Sequence, residues 1–253
     1  MQDLMDLLIV AGIAVLWPVW ENAIAWPRFL RNVSGGDAGV RATAYRRGIA
    51  TQWALSAFVA LAWTLRGHAW SALPLYSPVP WRIGVGVVLA AGLIVLMAQQ
   101  VAAVRRSPEA RASIRRQIGD LEPMLPRTRE ELSALIGLSV TAGVCEEWLF
   151  RGALTTLLAG WVGLPLAVLV ASVAFGFGHA YQGPVGIAKT AGVGLVMSGI
   201  VLASGSLLPA MIVHATIDIG SGLATHIALT TVEDAPVESE PGPGGPDAGP
   251  GGA

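Results

Sequence analysis

Cysteine is nearly absent from this chain of 253 residues. Cys145 stands alone, so no internal disulfide can form, and no CxxC or histidine-rich tract suggests a conventional zinc module. Charge is scarce as well. Charged residues make up 13% of the sequence, against about 25% in an ordinary soluble domain. Hydrophobic residues make up 53%, and the mean hydropathy is +0.60. A soluble globule of this size could not hide so much apolar surface. The scarcity of charge also excludes a nucleic-acid partner bound through a broad basic face. The net charge of −1 conceals a segregation. The tail carries Glu233, Asp234, Glu238, Glu240 and Asp247 and no base, which leaves the rest of the chain at +4. With its prolines and glycines and no apolar face, this tail is expected to be disordered. The N-terminus lacks the positive charge of a cleavable signal peptide: Asp3 and Asp6 stand there instead.

What the sequence has is long apolar runs, and these predict an all-α, polytopic transmembrane bundle. Spans are expected at 4–20, 49–65 and 83–104, then four helices at 132–160, 165–179, 187–203 and 207–230. That makes seven, or eight if the connector 66–80 or 105–131 hides a re-entrant or interfacial helix. The domain reading is a three-span region over 1–104, an arginine-rich connector over 105–131 lying as helix on the cytoplasmic surface, a four-helix catalytic core over 132–230 and a tail over 231–253. Connectors 21–47, 66–82 and 105–131 hold five, two and seven arginines. The first and third are therefore expected in the cytoplasm and the N-terminus outside, for a multi-pass protein of the plasma (inner) membrane surrounded by lipid. Trp17, Trp20, Trp26, Trp70, Trp81 and Trp161 are expected near span ends, as an aromatic belt.

Ionisable residues inside apolar spans are costly unless paired or hydrated, and six of them fall into three short groups. Glu146, Glu147 and Arg151 form the first. Glu147 and Arg151 stand at i,i+4 with the acid leading, the favourable order for an ion pair. Glu146 points about 100° away, which leaves it free and desolvated, the setting of a general base or acid. Phe175 to His179 form the second group, whose glycines let another backbone approach. His214 and Asp218 form the third, again at i,i+4, where Asp218 could hold one ring nitrogen and leave the other facing a cavity. At 1.5 Å per residue, Glu146, His179 and His214 all fall ~20 Å above the cytoplasmic face, so the groups can meet at one depth. Such a pocket suits hydrolysis. Glu146 with His179 could deprotonate water while His214 and the residue one turn later steady an oxyanion. Equally, Glu146, His179 and His214 could hold a catalytic zinc with water at its open position.

At these residues the chain resembles the CAAX-protease and bacteriocin-processing family of intramembrane endopeptidases, which includes the CAAX prenyl endopeptidase. Its pattern reads here as Glu146-Glu147-x-x-x-Arg151, Phe175-x-x-x-His179 and His214-x-x-x-Asp218, in order. The likeness covers roughly 132–222. It implies a helical fold with a cavity open to membrane and cytoplasm, and a membrane-associated, even lipidated, protein or peptide as substrate. It further implies that Glu146 and His179 activate water and that His214 and Asp218 form the oxyanion hole. Members are classed as metalloendopeptidases, while a metal-free glutamate mechanism is favoured. Asp218 stands where asparagine would be the easier donor. An ionised aspartate cannot donate to an oxyanion, so Asp218 is either protonated or orients His214. There is no HExxH, no GxSG and no Gly-Asp pair in an apolar span, which leaves the other intramembrane proteases without their motifs. The rivals are a non-catalytic scaffold or immunity-type protein and, with less support, a proton-coupled transporter, whose two related halves are missing. Cys145 reads as a packing residue, His68 as a connector residue, and His226 and Lys189 as interfacial.

Overall fold

The computed structural model describes residues 2–35, 39–75 and 79–231. The acidic tail beyond Thr231 lies outside them. The described residues form helices and turns with no strand. In chain order the helices are α1 (Leu4–Ser34), α2 (Val40–Leu65), α3 (Pro80–Arg106), α4 (Pro108–Ile118), α5 (Arg129–Val162), α6 (Leu164–Gly178), α7 (Gly183–Ser204) and α8 (Leu207–Thr230). Six stretches are long and apolar enough to cross a membrane: α1, α2, α3, α5, α7 with the turn before it, and α8. With the shorter apolar α6 they make a multi-pass membrane protein. Leu8, Leu16, Phe58, Leu61, Val87, Val88 and Leu96 point outward, a cost in water and none against acyl chains.

The first span does not stop at residue 20. Glu21 and Asn22 look like its end and Pro27 like a breaker, yet α1 continues to Ser34. It does so through two π turns, Gly12–Leu16 and Glu21–Ala25, which end just before Trp17-Pro18 and Trp26-Pro27. A proline ring collides with the carbonyl four residues back, and a widened turn ahead of it relieves that collision while the helix goes on. Trp17, Trp20 and Trp26 therefore sit inside α1 and not at its ends. α2 likewise starts nine residues before the expected span and carries Arg41, Arg46 and Arg47 on its first turns.

α5 is the organising helix, flanked by α2 on one side and α8 on the other; α8 also packs on α3, and α6 pairs with α7. Its start is a capping box. The Thr128 hydroxyl accepts from Glu131 N, and the Glu131 carboxylate accepts from Arg127 N (2.6 Å) and Thr128 N (3.1 Å). Such a cap is worth about 1 kcal/mol. Arg46 and Glu130 (2.7 Å) tie α2 to the same end. At 34 residues, α5 is ~51 Å long and overshoots a ~30 Å hydrocarbon core. At 15 residues, α6 is only ~22 Å long, so it ends part-way through. Its end is met by protein, Asn22 of α1 donating to Phe177 O, as a break at membrane depth requires.

Lipid offers no hydrophobic drive for helix association, so close backbone approach between small residues does much of the work. A Cβ at Gly143 of α5 would lie 2.7 Å from Met211 O of α8, and one at Gly176 of α6 would lie 2.7 Å from Ile187 O of α7. The largest buried apolar cluster joins Ile9 and Ile13 of α1 and Val59 and Trp63 of α2 to Leu149–Leu158 of α5 and Ala167–Phe175 of α6. At one end of it, Asp6 accepts from Arg66 (3.3 Å) and pairs with His68 (2.9 Å), so His68 is tied in and not a free connector residue.

Candidate active site

Glu146 ends the regular part of α5, and a π turn runs from Glu147 to Leu154. The Thr155 hydroxyl caps that wide turn by donating to Phe150 O, five residues back, at 2.7 Å. Wide turns of this kind recur at functional sites. Here the turn carries Glu147 and Arg151 on one buried face while Glu146 looks elsewhere.

Glu147 is fully buried and Arg151 is 3% exposed. Arg151 Nη1 donates to Glu147 Oε1 at 3.0 Å, and His214 Nδ1 lies 2.8 Å from the same oxygen. The guanidinium also sits 4.2 Å over the Phe175 ring, a cation–π contact in a desolvated place. A carboxylate only accepts, so His214 Nδ1 carries a proton. Its Nε2 then faces Glu146 Oε2 at 3.8 Å and Asp218 Oδ2 at 3.7 Å. The i,i+4 arithmetic assigned the orientation of His214 to Asp218. In the fold Glu147 holds it, from another helix, and Asp218 stands beyond hydrogen-bond distance of the far nitrogen. The ion pair Glu147–Arg151 thus does more than neutralise an acid: it anchors the histidine.

Glu146 is not free on both sides. Gln52 Nε2 of α2 donates to its Oε1 at 2.9 Å. Its Oε2 is buried with no hydrogen-bond partner among the described residues. His179 follows the last turn of α6, and its Nδ1 lies 3.0 Å from Phe175 O. A carbonyl also only accepts, so Nδ1 is the protonated nitrogen and Nε2 holds the lone pair in the neutral ring. Phe175 sits between the parts: its ring is 4.9 Å from that of His179 and meets His214 edge-on at 5.9 Å. Among the described residues no hydrogen bond or ion pair joins His179 to Glu146. His179 is within electrostatic reach of Asp218. Nor do three His, Cys, Asp or Glu side chains among the described residues converge as ligands for a metal ion. His214 gives Nδ1 to Glu147 and turns Nε2 toward Glu146 Oε2 at 3.8 Å.

Two residues of α1 belong to this neighbourhood and carry no motif. Asn22 Nδ2 donates to Phe177 O at 3.0 Å and so satisfies a last-turn carbonyl of α6. Glu21, beside it on the π turn, lies within electrostatic reach of Glu146 and Tyr181, and Trp26 stacks on Tyr181 at 4.9 Å. Ending the first span at Trp20 hid both. The signal was an ionisable residue followed by Ala23, Ile24, Ala25 and Trp26, a span still running. Cys145 is fully buried, as packing requires, while His226 Nδ1 bonds to Pro126 O at 3.0 Å and Lys189 is exposed.

Residues 128–220 match the family described as Type II CAAX prenyl endopeptidase Rce1-like. This segment is similar to Rce1-like CAAX-protease domains. It begins at the capping threonine of α5 and closes just past Asp218, so all three motifs lie inside it. No curated protein and no solved structure matches the chain. The match supports a CAAX-type intramembrane endopeptidase in general terms. Gln52, Glu21 and Asn22 lie outside it, on helices that the family match does not cover.

Proposed function

We propose that the protein hydrolyses a peptide bond of a membrane-associated protein or peptide, with Glu146 as the general base. The observation that carries this reading is a carboxylate at membrane depth with one oxygen tied to Gln52 and the other, Oε2, buried, unpartnered and facing His214 Nε2. A water beside Oε2 gives Glu146 its proton as its oxygen adds to the scissile carbonyl carbon. The same proton then goes to the leaving amide nitrogen as the C–N bond breaks. The His179 Nε2 lone pair orients that water. His214 steadies the oxyanion from Nε2, which it can do only while both ring nitrogens carry protons; the carboxylates of Glu146, Glu147 and Asp218 around the ring support that state. Asp218 acts on His214 and not directly on the oxyanion. No step in this scheme calls on zinc. A site set in the membrane suits a lipidated or membrane-embedded substrate, in an inner-membrane protein with its arginine-rich connectors in the cytoplasm.

The test compares new peptide termini in membranes from cells making the wild type with those making Glu146→Gln at matched abundance. Termini found only with the wild type name the substrate and the bond. Identical profiles from two folded proteins would overturn hydrolysis and leave a binding scaffold.

A further inference from the structure

The carboxylate that carries the proposed chemistry is held from outside the Rce1-like segment. Gln52 lies in the middle of α2, 8% exposed, in a span whose neighbouring residues, Trp53, Ala54 and Leu55, are apolar. A buried amide in such a place is costly unless it is bonded. Its Nε2 donates to Glu146 Oε1 at 2.9 Å, and its own Oε1 is buried without a partner. The bond spans 94 positions in sequence. One turn further along α2, Ser56 stands against Cys145, the residue before Glu146. α2 therefore presents two polar side chains to the one turn of α5 that matters, and apolar Val59 and Trp63 beyond it.

Geometry gives this bond a consequence. A glutamate carboxylate on three rotatable bonds samples several rotamers when neither oxygen is held. Fixing Oε1 from the α2 side leaves Oε2 aimed at the His214 side, where its distance to Nε2 is 3.8 Å. We infer that Gln52 is a positioning residue for Glu146, which makes the second span a working part of the active site and not only a scaffold beside it. This inference rests on Glu146 being the general base. Gln52 reaches no reacting atom itself; it acts through the carboxylate.

The experiment is a kinetic comparison of four full-length proteins in detergent or vesicles: wild type, Glu146→Gln, Gln52→Met and Gln52→Asn. The probe is an internally quenched peptide built around the bond mapped by the terminus comparison. Gln52→Met keeps the length and volume of the side chain and removes the donor; Gln52→Asn keeps an amide that is one methylene too short to reach. A misplaced catalytic group costs up to about 100-fold. The expected result is a kcat lowered by about 10- to 100-fold in both Gln52 variants, with KM within about twofold of wild type and an unchanged thermal unfolding midpoint. Kcat within twofold of wild type in either folded variant would overturn the inference. So would a loss carried by KM, which would make Gln52 a substrate contact, or a loss that tracks the folded fraction, which would make it a helix tie. Should Gln52→Met not fold, Gln52→Asn decides alone. An active Glu146→Gln protein sinks the general-base reading itself, whereas an inactive one with active Gln52 variants sinks only this inference.

Discussion

At the scale of single residues, Glu146 and Glu147 are neighbours with opposite duties. Glu147 has no exposed surface and holds both Arg151 and His214; Glu146 keeps one oxygen for chemistry. Neutralising Glu147 leaves a buried guanidinium without its counter-charge, and breaking a buried pair from one side costs about 3–5 kcal/mol. Glu147→Gln is therefore expected to lower the thermal unfolding midpoint and abolish cleavage together. Glu146→Gln is expected to abolish cleavage with a midpoint close to that of the wild type. Unfolding in detergent, followed alongside cleavage, separates the two, and equal loss of stability in both variants would contradict the division. The three motifs were legible because each lies within one helix turn, where residue spacing alone sets direction. The partner of His214 was not. The i,i+4 rule offered Asp218, and a carboxylate 67 positions away took the place because helix packing, not local spacing, decides which acid is nearest. Gln52 was illegible for the same reason: one amide in an apolar run says nothing about what it will face.

At the scale of elements, the site depends on how closely α5 and α8 approach. Gly143, one turn before Glu146, has Met211 O and the Ala215 backbone N where a Cβ would be, at 2.7 and 2.9 Å. Both are backbone atoms and cannot swing away, and Ala215 adjoins His214. Gly143→Ala must push the two helices apart, at a cost of about 1–3 kcal/mol, and draw His214 from Glu147. The expected outcome is a less stable protein with little or no cleavage. Gly137→Ala is the control on the same helix, since a Cβ there meets only the end of the Ile49 side chain at 3.4 Å. A fully active Gly143→Ala protein would show that the α5–α8 distance does not set the geometry. The helix count and the apolar faces could be read from hydropathy, since lipid demands them. The π turns could not. At Gly12–Leu16 and Glu21–Ala25 a following proline explains them in retrospect, but Glu147–Leu154 contains and precedes no proline. There the tertiary contacts are the Glu147–His214 bond and the Arg151 guanidinium over the Phe175 ring, and Thr155 caps the turn locally on Phe150 O.

At the scale of the whole molecule, charge sorts the two ends of the bundle. Arg41, Arg46 and Arg47 open α2, Arg105 and Arg106 close α3, and Arg111, Arg115 and Arg116 follow on α4, whose Arg115 Nη1 donates to Ala228 O near the end of α8 at 2.8 Å. These termini gather at one end of the bundle. At the other end the turn Trp70–Ala72 joins the junction of α7 and α8, where Leu207 N donates to Pro74 O at 2.7 Å. An excess of arginine in short connectors marks the cytoplasmic side, so α4 is expected inside the cell and the Trp70–Ala72 turn outside. Single cysteines test this in a Cys145→Ala background. Ser71→Cys and Arg116→Cys both replace exposed residues, so neither should disturb the fold. In intact cells a membrane-impermeant maleimide is expected to label Ser71→Cys at once and Arg116→Cys only after lysis. The reverse pattern would invert the molecule and open its active site to the opposite compartment. The substrate bond would then have to be sought among exported proteins and not among those anchored to the cytoplasmic leaflet.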